Sequence, residues 1–172
     1  MILKGFKEKS NKKYLNKLLN ERQGRVDDSK IESLGVIFNY DETGNFEQFR
    51  KLADKLKVRP NKVKIIAFSE REIELQSTWD VCYTFKDFGW KGAVNNSELQ
   101  AFIKTEFDAL ISFYNNDILE LKLMTALSKA KFKIGVLQDD ERLNDFILKT
   151  KLNEFDVFEN ELFKYLTILN KI

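Results

Sequence analysis

Residues 108–136, DALISFYNNDILELKLMTALSKAKFKIGV, constrain the fold more than any other stretch. They read as an apolar strand over 109–113, a polar turn at Asn115, Asn116 and Asp117, a helix ending near Ala130, and a second strand over 132–136. A crossover of a dozen or more residues returns the chain to the starting edge of a sheet, so the two strands must run parallel. A parallel sheet needs helices on its faces, and the unit therefore predicts an α/β protein. The alternation Ile118, Leu119, Leu121, Leu123 would also suit a strand, but Met124, Ala126, Leu127 and Ala130 carry the pattern past a strand's length and decide for helix.

The rest of the chain repeats this grammar. LGVIFNY at 34–40 is a continuous apolar run of the kind buried on both faces of a parallel sheet. After a turn at 41–44, Asn45 is placed to cap a helix in which Phe46, Phe49, Leu52, Ala53 and Leu56 recur at core-facing spacing, and Arg59-Pro60-Asn61 stops it. KVKIIAFS at 62–69 follows as the second strand and VCYTF at 81–85 as a short third. Residues 97–107 predict a helix capped by Ser97, 145–149 a last strand, and 156–171 a closing helix. Between Trp79 and Gly92 lie both tryptophans and two glycines, which suits a cover over one end of the core or a loop that contacts a ligand. The expected architecture is a three-layer Rossmann-like or flavodoxin-like domain over 30–172, with five or six mostly parallel strands and helices on both faces.

Residues 1–25 stand apart in charge. They carry eight Lys or Arg against two Glu, whereas the remainder is net acidic. Tyr14, Leu15, Leu18 and Leu19 fall at helical spacing, which predicts a basic amphipathic helix over 3–21 that ends before Gly24. Such a helix can dock on the domain through its leucines, lie on an anionic membrane surface, or touch nucleic-acid phosphates. It has no Trp and no Arg cluster, which favours docking.

Several chemistries are excluded outright. With no histidine there is no Ser-His or Cys-His catalysis and no His-based zinc site. The one cysteine, Cys82, sits in an apolar run that predicts an inert core thiol, and one cysteine makes no intramolecular disulfide, which fits a reducing, cytoplasmic setting. No apolar run reaches the roughly 18 residues of a membrane span. Neither a Walker loop nor GxGxxG occurs, so no cofactor is expected. Asp87-Phe88-Gly89 matches a kinase triplet, without the glycine-rich loop or catalytic loop that would give it meaning.

In open parallel sheets, ligands bind at the carboxyl ends of the strands, where the loops diverge. On this strand assignment, the candidate ligand-binding residues are Tyr40, Asp41, Ser69, Glu70, Tyr114, Asn115, Asp139 and Asp140, with no catalytic residue and no metal ligand assigned. Carboxylates there suit Mg²⁺, but a phosphoacceptor receiver wants an aspartate where this chain has Tyr114-Asn115. The turn before the central helix lacks the glycine of a phosphate site, and its Asn and Asp suit helix capping.

Over its whole length, from the opening KGFKEKSNKKYL to the DALISFYN and LSKAKFKIG blocks, the chain resembles a family of short uncharacterised proteins from Bacteroidota, a domain of unknown function. That resemblance implies no activity. Over about thirty residues, the central unit is also similar to the nucleotide-sugar-binding half of heptosyltransferase-like glycosyltransferases, which implies the fold rather than the activity. The chain departs from them in lacking glycine or histidine after the first strand, and it has room for one of the two halves. Three functions stay open: a binding module for a protein partner or a second copy of itself, a small enzyme for a nucleotide or sugar phosphate using Asp41, Asp139 and Asp140, and attachment to a membrane surface or nucleic acid through residues 1–25.

Overall fold

The computed structural model describes residues 2–172. Six strands form one sheet: β1 (Leu34–Asn39), β2 (Val63–Phe68), β3 (Val81–Tyr83), β4 (Ala109–Phe113), β5 (Phe132–Val136) and β6 (Phe146–Leu148). Their order is β3-β2-β1-β4-β5-β6 and every neighbouring pair is parallel. The helices are α1 (Ile2–Glu21), α2 (Tyr40–Thr43), α3 (Phe46–Lys55), α4 (Ser97–Lys104), α5 (Leu119–Leu127) and α6 (Phe155–Ile168). This is the three-layer Rossmann-like arrangement expected from the sequence, with the last count settled at six strands.

The two central strands explain the continuous apolar runs. β1 is buried at all six positions and lies between β2 and β4, with Val36 opposite both Ile65 and Ile111. One face of the sheet packs on α3 and α6. There the Phe49 ring centroid sits 4.8 Å from that of Phe38, 5.3 Å from that of Phe113 and 5.5 Å from that of Phe155, in tilted and edge-on contacts. The other face packs on α1, α4 and α5 through Ile37, Ile66, Leu110, Leu15, Phe102 and Leu121. Gly35 is required here: a Cβ on it would come 2.8 Å from the Phe107 ring. Asp108 joins the start of β4 to the start of β1 by accepting from the backbone N–H of Glu32 at 3.1 Å and of Ser33 at 3.0 Å.

The structure corrects several boundaries and caps. Asn96, not Ser97, caps α4 by accepting from the N–H of Glu98 and Leu99, and that helix stops at Lys104 because Thr105 is extended. β3 and β6 are three residues each, since each sits at a sheet edge with one partner strand. Tyr40 does not extend β1; it opens α2, capped by Asn39 and closed by the left-handed Gly44. No side chain caps α5, whose N-cap is Ile118. Asp117 instead pairs with Lys122 at 2.6 Å and Asn116 accepts from Asn39 at 3.3 Å.

Candidate functional site

The strand order reverses between β1 and β4, because β2 and β3 lie on one side of β1 and β5 and β6 on the far side of β4. A ligand crevice would open there. In this protein Asn39 and Asn116 bridge the gap at 3.3 Å, and Asn39 also accepts from the Asp41 N–H at 3.1 Å. Beside them Asp41 accepts from the Ser69 hydroxyl and from the Glu70 N–H, both at 2.8 Å, which locks the ends of β1 and β2 together. The polar groups of the switch point thus satisfy one another.

The candidate residues separate accordingly. Asp41, Ser69 and Glu70 form the hydrogen-bonded cluster just described. Tyr40 is half-buried on the α3 side, 6.0 Å from Phe46. Tyr114 is fully buried under α5, its hydroxyl 2.7 Å from that of Thr125, and burial pushes its pKa well up. Asn115 and Asp139 are exposed on the surface. Asp140 pairs with Arg142 at 2.7 Å, which holds its carboxyl below the usual value. Among the described residues, no three acidic or thiol side chains come together in a way that could hold a metal ion. Cys82 is half-buried, and burial together with the Asp41 and Asp87 carboxylates pushes its thiol up to about 11, where it stays protonated.

The large opening lies to one side of the switch point. A groove of about 1110 Å³ runs beneath α1, floored by Phe68 at the end of β2 and walled opposite α1 by Ile118, Leu119 and Glu120 at the start of α5. At one end stand Phe85 and Trp90, next to the first turns of α1, where the Lys4 ammonium lies 4.9 Å from the Phe85 ring centroid. At the other end stand Asp140 and Arg142, the latter donating to Asn16 at 3.2 Å and to Asn20 at 2.6 Å near the end of α1. Of the residues the sequence pointed to, Glu70 and Asp140 line this groove.

α1 makes the groove, and specific bonds hold it in place. The side chain of Asn11, 2 % exposed, donates to the Gly89 carbonyl and accepts from the Gly92 N–H, both at 2.9 Å. Lys7 donates to the Phe88 carbonyl at 2.9 Å, and Arg22 pairs with Asp145 at 2.6 Å. Tyr14 lies directly on Gly92, whose positive φ of 70° and lack of a side chain allow that approach.

Most charges along the groove already have partners: Glu8 with Lys12 at 2.7 Å, Asp117 with Lys122, and Asp140 with Arg142. Glu120 does not, since none of the ion pairs among the described residues includes it, and burial raises its carboxyl above the ordinary value, the nearby Glu8 adding to the effect. Sequence reasoning missed Glu120 because it reads as one polar position in ILELKL. Its burial comes from the groove between α5 and a helix more than a hundred residues away in the chain, for which no local pattern is a signal.

The model of one family, described as a family of unknown function (DUF6913), matches residues 7–169. No curated protein and no solved structure matches the chain significantly.

Proposed function

The chain belongs to this family of unknown function, which lends it no activity, and from its geometry we propose that it is a binding domain that holds a segment of a partner protein lengthwise in the groove under α1. The observation that carries this reading is the shape of the groove. It follows α1 from Leu3 to Leu19, about 24 Å at 1.5 Å per residue. That span fits about seven extended residues or about four turns of helix. The apolar floor and walls, Phe68, Ile118 and Leu119, would take apolar side chains of the segment, and the unpaired Glu120 would take a lysine, an arginine or a terminal amine.

The test is selection of peptides on the full chain from a displayed library. Selected peptides should combine apolar residues with a basic one, should shift the emission of Trp90, and should lose most of their affinity to Ile118→Arg, which fills the groove, and to Glu120→Lys. Peptides that bind both variants as well as the parent would refute the reading.

One observation favours a second reading, a small enzyme or sensor for a nucleotide or sugar phosphate. Glu120 is a partly buried carboxyl with a raised pKa, the character of a general acid or base. Asp41 is committed to Ser69 and Glu70, and Asp140 to Arg142, so Glu120 would replace them in that role. A rise in melting temperature with a nucleotide or sugar nucleotide, abolished in Glu120→Gln, would support this second reading over the first.

A further inference from the structure

α1 carries a second surface that the groove does not use. At 100° per residue, Ile2, Phe6, Lys9, Lys13 and Lys17 fall within an arc of about 80°, on the side of the helix opposite the buried Asn11 and Leu15. All five side chains are exposed, Ile2 at 77 % and Phe6 at 57 %. None of the three lysines has an acidic partner among the described residues, while the neighbouring Glu8 is taken by Lys12. Two large apolar side chains followed by three uncompensated positive charges thus lie in one line about 22 Å long.

We propose that this face of α1 rests on an anionic lipid surface, with Ile2 and Phe6 inserted among the head groups and Lys9, Lys13 and Lys17 over the lipid phosphates. A helix lying in the interface gains from apolar side chains at the boundary and from basic ones facing negative head groups, and this face offers both. A nucleic acid would engage the lysines but would give Ile2 and Phe6 no role, and the face carries no arginine for bidentate phosphate contact. The contact leaves the groove open, because the groove lies on the other flank of the helix.

The test is sedimentation of the full chain with vesicles of phosphatidylcholine alone and of phosphatidylcholine with phosphatidylglycerol. Binding to the anionic vesicles only, weakening as salt rises, is expected. Each lysine near an anionic surface contributes about fivefold in partitioning, so Lys9→Gln, Lys13→Gln and Lys17→Gln combined should cut binding about a hundredfold. Phe6→Ser should weaken binding while leaving its salt dependence as in the parent. These side chains are exposed, and unchanged thermal melts will show that the variants fold. Absence of vesicle binding, equal binding to neutral vesicles, or undiminished binding of the triple variant would each overturn the proposal. Retention on duplex DNA without retention on vesicles would overturn it too and make this a nucleic-acid face.

Discussion

Lys133 shows how far a single residue's character depends on what surrounds it. Its position within the strand FKIGV reads as an interruption of an apolar run, yet the side chain is 4 % exposed and donates to the Thr125 carbonyl at 2.7 Å at the end of α5. It therefore serves a helix terminus, where carbonyls lack intrahelical partners and accept from its amine. Burial, with Arg22 adding repulsion, lowers its pKa from 10.5 to about 7. Between those two values the unfolded chain holds a proton that the folded chain has released, so folding stability should rise with pH across that window. Below about 7 both states are protonated, and the cost of burying the charge is present in full. The slope from this residue cannot exceed about 1.4 kcal/mol per pH unit. Urea melts from pH 6 to 10 on the parent and on Lys133→Met should differ by this rise; parallel curves would show that the amine stays charged in the fold.

At the scale of the element, α1 is bound to the body through polar contacts as well as through its leucines. Apart from Leu15 and Leu19 it buries Asn11, and that side chain satisfies the Gly89 carbonyl and the Gly92 N–H together. Removing one partner of a buried hydrogen bond costs more than the bond contributes net, because the group left behind stays desolvated. Asn11→Ala should therefore destabilise the protein by about 1–3 kcal/mol in chemical denaturation. Asn20→Ala, which removes an exposed acceptor for Arg142, should cost less than about 0.5 kcal/mol. Equal effects would mean that the leucines alone seat the helix. Local chemistry elsewhere behaved as its residues suggest: Asn45 caps α3 by accepting from the Gln48 N–H. The capping expected of Asn115, Asn116 and Asp117 did not occur, because Asn116 found a partner in Asn39 on a strand it meets only in the folded state.

For the molecule as a whole, α1 is both cover and wall. It buries Leu15 and Leu19 in the same apolar cluster as Leu110, Leu121 and Met124. Deleting residues 1–25 should thus uncover that cluster and cost several kcal/mol, since each fully buried leucine is worth about 1.5–3 kcal/mol. Calorimetry should show a lower melting temperature and dye binding should show newly exposed apolar surface; an unchanged melt would mean that the helix is dispensable to the core. What the sequence by itself determined was the α/β class, the parallel pairing and nearly every element. Those follow from the period of apolar residues over a few turns or a few strand positions, and from the length of the crossovers, all local quantities. Strand ends can also be read from strand patterns, and of the residues proposed there Glu70 and Asp140 lie along the groove. Only the tertiary structure decided the strand order, the closing of the switch point by Asn39 and Asn116, and the groove with the unpaired Glu120. Each of these is a meeting of residues distant in the chain, made by packing between whole elements, and no short-range pattern carries that information.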